Sequence, residues 1–363
     1  MNKFLKYFLI ILLQLIVFSN IIYSASFIPA HDPDIQYFGR WDMSDSLNYL
    51  HSWPGIYIYA EFGGTTIGVR MDDSVNYYNV YLDGKLYKIF HSNKAGVRDY
   101  ILADSLVNTH HTFRFSQRNI SFGVYSFSGL LIDNGAKLFT PPPKPSRKIE
   151  FIGNSFTAAE GNEATQAEMQ WEAKFPVTNI DKGFAPLIAR HFHAQYHTTC
   201  RSGIGMVCDW QGKFDISMPH YFERTLMERK EPKWDFKKWI PNLVVICLGL
   251  NDYSGLKGKN GEVSEKNSEI FRNGYHNFLK TVRKVYPGVP ILAVAASPGW
   301  IRENVKEVVD KEKAGGHNDI YYAQFDHFPG GYVANEHPTV ATHKKIADEI
   351  IKSIDDYEIF PEK

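Results

Sequence analysis

The sequence predicts two successive architectures: an all-β sandwich over residues 27–139, then a doubly wound α/β domain on a parallel sheet over residues 148–363. Three observations carry this. Up to residue 139, short apolar runs alternate with period two, are separated by turn residues and show no helical period. From Lys148 on, continuous apolar runs of strand length alternate with longer segments whose apolar residues recur at helical spacing. Between the two lies Thr140-Pro-Pro-Pro-Lys-Pro145, residues 140–147 forming a stiff, extended linker.

The first part opens with Ile35-Gln-Tyr-Phe-Gly-Arg-Trp41 and an alternating run over residues 55–62. Residues 66–71 alternate next. Asp83-Gly84 then separates Asn79-Val-Tyr-Leu82 from Leu86-Tyr-Lys-Ile89, a hairpin signature because a two-residue primed turn needs positive φ. Residues 112–115 and 123–131 are further strands. Several short strands with turn chemistry make a sandwich.

In the second part, Ile149-Glu-Phe-Ile152 is a strand and residues 195–199 a second one. A helix is expected over residues 181–192, with Phe184, Leu187, Ile188 and Phe192 on one face. Residues 242–248 form a continuous apolar strand, of the kind buried on both faces of a parallel sheet. Phe271, Tyr275, Phe278, Leu279 and Val282 mark a helix over residues 268–286. Residues 289–296 are another strand. Pro338 is expected to open a last helix running to about Tyr357.

Composition excludes some functions. Forty basic and forty acidic side chains balance, so neither nucleic acid nor an anionic membrane is an expected partner. Residues 1–24 read as a secretory signal peptide: Lys3 and Lys6, an apolar run over residues 8–18, and a cleavage site before Ala25. The rival is an uncleaved anchor, which needs about 20 apolar residues. The expected location is secreted or periplasmic, with no membrane association after signal removal. Cys200, Cys208 and Cys247 are an odd set, with no disulfide framework. Cys247 lies in an apolar strand as a small core residue. Cys200 and Cys208 can pair in an oxidising compartment.

Sites in open parallel sheets form beyond the carboxyl ends of the strands. Gly153-Asn-Ser155, Cys200-Arg-Ser-Gly-Ile-Gly205 and Gly249-Leu-Asn-Asp252 all follow such ends, and Asn335-Glu-His-Pro338 precedes the last helix. Ser155 stands at the tip of a buried strand on a tight turn. A serine hydroxyl is a weak nucleophile until an imidazole takes its proton, and an imidazole titrates near neutrality.

These four blocks resemble the SGNH (GDSL-like) hydrolases, which carry Ser, Gly, Asn and His in this chain order. The resemblance spans Lys148 to the C-terminus. It implies Ser155 as nucleophile and His337 as general base. It also implies an oxyanion hole from the backbone N–H groups of Ser155 and Gly203 and the Asn251 amide, with Gly205 as the less fitting glycine. The sandwich, with its Ile35 block and Asn76-Tyr-Tyr-Asn-Val-Tyr-Leu-Asp-Gly84, looks like the jelly-roll module of carbohydrate esterase family 2. That implies an SGNH-type fold behind a jelly roll. The implied enzyme is an esterase that removes acetyl groups from plant cell-wall polysaccharide through an acetyl-serine, without metal or other cofactor. Two positions depart from the family pattern. Asn154 replaces the Asp before the serine, and Ala334 stands where an Asp three residues before the His is usual. Orientation of His337 is therefore left to Ala334 through its backbone carbonyl, to Asn335 or to Glu336.

Trp210 and Trp300 are candidate sugar platforms, with core capping as the plain alternative. Trp41, Trp53, Trp234 and Trp239 are assigned to packing. His191, His193 and His197 sit on a helix end running into a strand and do not face one point, and His110 and His111 are expected in a surface loop. Residues 161–178, with Trp171, form a long polar insertion that either rims the site or is only a loop. Two rival functions share this sequence. One is an acetyltransferase using the same Ser/His pair. The other is a non-catalytic carbohydrate-binding protein.

Overall fold

Period-two alternation buries one side of each early strand, which drives two antiparallel sheets together. The computed structural model describes residues 25–360, so the expected signal peptide at residues 1–24 lies outside the described residues. One sheet joins β1 (Ala25–Pro29), β3 (Tyr49–His51), β5 (Ile67–Asp72), β8 (Arg98–Ala103) and β10 (Tyr125–Asp133). The other joins β2 (Gln36–Phe38), β4 (Tyr57–Gly64), β6 (Tyr77–Leu82), β7 (Lys85–His91), β9 (Thr109–Gln117) and β11 (Leu138–Phe139). Ile58, Phe62, Val69, Val80, Phe113 and Leu130 fill the space between them. Neighbouring strands far apart in sequence, such as β1 with β10 and β4 with β9, make this a jelly-roll sandwich. The β6–β7 hairpin turns at Asp83 and Gly84, with φ of 51° and 74°, as a primed turn requires.

The second part is a parallel sheet of five strands in the order β13-β12-β14-β15-β16. These are β12 (Arg147–Gly153), β13 (Ala194–Cys200), β14 (Leu243–Cys247), β15 (Ile291–Ala295) and β16 (Ile320–Gln324). Six α-helices surround it among the described residues: α1 (Phe184–His191), α2 (Met218–Tyr221), α3 (Leu250–Leu256), α4 (Glu265–Val285), α5 (Gly299–Ala314) and α6 (Val340–Asp356). The near-continuous apolar strands follow from burial on both faces. Ile152, Ile246 and Ala293 pack toward α4 and α5, through Phe271, Phe278 and Val305. Phe151, Val245 and Val294 pack toward α1 and α6, through Ile188, Ile346 and Ile350. The chain leaves β12 to one side for β13 and returns to the other side for β14. The strand order therefore reverses at β12, and the crevice beyond its carboxyl end is the expected place for a ligand.

Several expectations are corrected. The helix expected from Asp181 starts at Phe184, because Asp181 sits in a 3₁₀ turn with its carboxylate bound to the sandwich. Asn79, Tyr81, Arg114 and Ser116 all donate to it. Pro338 does not open the last helix. It belongs to β18 (His337–Pro338), which pairs with β17 (Tyr332–Val333), and Thr339 caps α6 by accepting from the Thr342 N–H. His110 and His111 are not in a loop but in β9. His110 meets Glu61, and buried His111 meets Asp83 and the Val107 carbonyl, each at 2.8 Å. Cys200 and Cys208 are free thiols, as is Cys247, and all three are buried. Burial pushes the thiols of Cys208 and Cys247 up to about 12, so both stay neutral and inert.

The two parts meet through buried polar contacts. Arg40 donates to Glu150 of β12 at 2.6 Å, and the two side chains are 1% and 0% exposed. The Arg40 guanidinium also bonds the carbonyls of Phe222 and Arg224 and lies over Trp234. Thr199 of β13 donates to the same Glu150 oxygen at 2.6 Å.

Candidate active site

Strand β12 ends at Gly153, and the next residues turn sharply. A Cβ at Gly153 would meet the Thr157 hydroxyl at 1.9 Å, so only glycine fits there. The Asn154 side chain accepts from the Phe156 N–H at 3.0 Å, and its carbonyl accepts from the Ala158 N–H at 3.0 Å. Ser155 is thereby placed on a tight turn at the switch point, 9% exposed.

A cavity of about 500 Å³ opens over Ser155. Gly203, Asn251 and His337 all line it, so the four sequence blocks converge on one cleft. Gly203 has φ +77°, and a Cβ there would come within 3.1 Å of the Trp210 ring. Both facts call for glycine. Gly205 is absent from the cleft lining. A Cβ there would collide with Asp252, which is why that position is also glycine. Asn251 lies in the first turn of α3 and donates to the Ile204 carbonyl at 2.8 Å. Its amide has a second hydrogen available for another acceptor.

Asp252 holds the glycine loop in place. Its carboxylate accepts from the N–H groups of Met206 at 2.8 Å, Val207 at 2.7 Å and Cys208 at 3.3 Å. Burial pushes this carboxyl up to about 6, while the three N–H bonds pull it down.

His337 is held by a backbone atom. Its Nδ1 faces the Ala334 carbonyl at 2.7 Å. Nδ1 must then carry the proton, which leaves the Nε2 lone pair toward the cleft. Glu336 is exposed, and the Nδ1 position is taken by the Ala334 carbonyl. Asn335 accepts from the Met169 N–H at 3.1 Å, so it ties the His loop to the insertion rather than to the imidazole. The insertion rims the cleft: Ala334 and Asn335 donate from their backbones to the carbonyls of Gln166 and Ala167.

Trp210 stands at the rim, 56% exposed, against Gly203. Trp300 does not reach the cleft. Its ring packs on Phe271 and Tyr253, and its N–H donates to the Ser268 hydroxyl at 2.8 Å. The expected platform role does not fit it. Another part of the wall comes from residues with no such expectation. Phe122, from a sandwich loop and 44% exposed, stacks on Trp171 of the insertion at 4.9 Å. Phe122 carried no local signal, because only the packing of the sandwich against the sheet brings it there. Glu160 and Lys174 also line the cleft, paired at 2.7 Å, and no motif marked them. Among the described residues, no group of three or more His, Cys, Asp or Glu side chains could hold a metal ion.

Comparison with known proteins agrees with this architecture. Residues 37–142 match the family profile described as carbohydrate esterase 2 N-terminal. An acetylxylan esterase / glucomannan deacetylase of Cellvibrio japonicus is 31% identical over 282 residues, 76% of each chain. The cellulase/esterase CelE of Acetivibrio thermocellus is 30% identical over 332 residues, which are 89% of this chain and 39% of that longer protein. The chain thus spans well under half of that relative. A solved family two carbohydrate esterase from Clostridium thermocellum, in complex with cellohexaose, superposes with a TM-score of 0.80 at 28% identity. It covers 89% of this chain and 98% of that one.

Proposed function

The chain belongs to carbohydrate esterase family 2, and we propose that it is a serine esterase that removes O-acetyl groups from plant cell-wall polysaccharide, xylan or mannan. The observation that carries the reading is the meeting of Ser155, Gly203, Asn251 and His337 in one aromatic-walled cleft.

In this reading the Ser155 hydroxyl attacks the acetyl carbonyl carbon while His337 Nε2 takes its proton. The carbonyl oxygen becomes an oxyanion, held by the N–H groups of Ser155 and Gly203 and by the free hydrogen of the Asn251 amide. Donors fixed before reaction stabilise that charge without reorganising. Collapse breaks the bond to the sugar oxygen, which takes the proton from His337. An acetyl ester on Ser155 remains. Water then attacks it with His337 again as base, the bond to the Ser155 oxygen breaks as that oxygen takes the proton from His337, and acetate leaves. This route uses no metal or cofactor. The Ala334 carbonyl keeps the imidazole in the useful tautomer through both steps. Phe122, Trp171 and Trp210 offer ring faces on which sugars stack. A polymeric substrate also fits export under the signal expected at residues 1–24.

Acetate release from acetylated xylan and acetylated glucomannan, in buffer without added sugar, tests this. The reading predicts free acetate from at least one polymer. Failure on every acetylated polysaccharide, or release only when a sugar acceptor is added, would overturn it.

A further inference from the structure

His337 has no carboxylate on its Nδ1 side, yet one faces the ring from the other edge. Glu160 Oε1 lies 3.7 Å from His337 Nε2. That carboxylate is 4% exposed and is held twice more. Oε1 accepts from Lys174 Nζ at 2.7 Å, and Oε2 accepts from the Ser202 hydroxyl. The Glu160 N–H donates to the Ser155 carbonyl at 3.0 Å. One residue thus ties together the nucleophile turn, the loop before Gly203, the insertion and the base. On α6, burial, and after it the charge on His337, hold the His343 imidazole down to about 3, so it stays neutral.

The distances suit a particular task. When Ser155 gives up its proton, positive charge appears on the imidazole, and an anion within about 4–6 Å favours it. A carboxylate in direct hydrogen-bond contact with Nε2 would compete with Ser155 for that nitrogen. At 3.7 Å it is too far for such a bond. Lys174 and Ser202 hold it there, and the Lys174 ammonium offsets part of its charge.

We propose that Glu160 is a positioning residue that stabilises the charged form of His337 in place of the missing triad acid, and that Lys174 limits how strongly it does so. This rests on the reading of Ser155 and His337 as nucleophile and base.

The test is the pH profile of kcat/KM on 4-nitrophenyl acetate for wild type, Glu160→Gln and Lys174→Met, with melting temperatures. Glu160→Gln keeps the shape and loses the charge. Its kcat is expected to fall about 10- to 100-fold, and its acid limb to move down by about one pH unit. Lys174→Met leaves the carboxylate uncompensated, and its acid limb is expected to move up. Opposite shifts are not the result of general loosening. Limbs that stay put, or move the same way, in folded variants would overturn the proposal. If Glu160→Gln does not fold, the Lys174→Met limb decides alone, since no upward shift refutes the role. Ser155→Ala separates the two levels. If it is inactive and both limbs stay put, only the role of Glu160 falls. If it keeps wild-type activity, the underlying site reading falls, and this proposal with it.

Discussion

Asp252 illustrates how much one buried side chain can fix. Three backbone N–H groups of the glycine loop converge on its carboxylate, and that loop carries Gly203. Its folded-state carboxyl is raised from 3.8 to about 6, chiefly by burial. Between these values the folded protein keeps a proton that the unfolded chain has lost, so this group's contribution to stability falls as pH rises. Over the window the change amounts to about 3 kcal/mol. An Asn side chain does not titrate. The stability difference between wild type and Asp252→Asn, from denaturant unfolding at pH 4 and pH 7, should therefore shift by about this amount against the wild type. A difference that is flat, or that favours wild type more at pH 7, would contradict the burial argument. The meeting of Ser155, Gly203, Asn251 and His337 in one cleft was legible because the first three sit in short blocks at strand ends and the fourth in a block just before the last helix. Asp252, Glu160 and Phe122 were not: the partners of Asp252 lie 44 or more residues away, those of Glu160 are scattered over Lys174, Ser202 and His337, and Phe122 meets Trp171 only across the seam between the two parts.

At the scale of elements, the His loop is the strained piece. Ala334, Asn335 and Glu336 have φ of 46°, 67° and 64°, three successive left-handed residues that are not glycine. Each such conformation costs about 1 kcal/mol or more. Pairing with the insertion, through Ala334 to Gln166 at 2.8 Å and Asn335 to Ala167 at 2.6 Å, holds them there. The same twist aims the Ala334 carbonyl at His337 and leaves Glu336 in solvent. Gly161 backs this loop: its φ is +65°, and a Cβ there would meet the Ala334 Cβ at 2.5 Å. Gly161→Ala should push the carbonyl off the imidazole and lower kcat up to about 100-fold, as a misplacement of about 1 Å can do. Adding Ala334→Gly should restore part of the loss. A Gly161→Ala enzyme with wild-type kcat would show that the carbonyl position does not matter. The alternation of strands and helices up to β15 was legible from periodicity, and the Asp83-Gly84 turn from its φ requirement, but α5 and β16 carried no expectation. The start of α1 was not legible, because tertiary bonds to Asp181 outweigh local helix pattern. The edge strand β8 was missed because several of its side chains are exposed, which blurs the alternation.

At the scale of the whole molecule, the two parts share one buried seam and one cleft. The sandwich places Arg40 on Glu150 inside the sheet and Phe122 on the cleft wall. A buried ion pair of this kind secures the seam mainly because either partner alone would be left as an uncompensated buried charge. In the proposed reading, nucleophile and oxyanion donors follow the carboxyl ends of the parallel strands, the base comes from the β17–β18 pair before α6, the substrate wall comes partly from the sandwich, and the insertion joins them. All of this converges on Ser155. The most direct measurement is therefore the turnover of Ser155→Ala on 4-nitrophenyl acetate, with its melting temperature recorded alongside. The account predicts an unchanged melting temperature and a kcat lowered by about 10⁴-fold or more. A folded Ser155→Ala enzyme that turns over at the wild-type rate would contradict it.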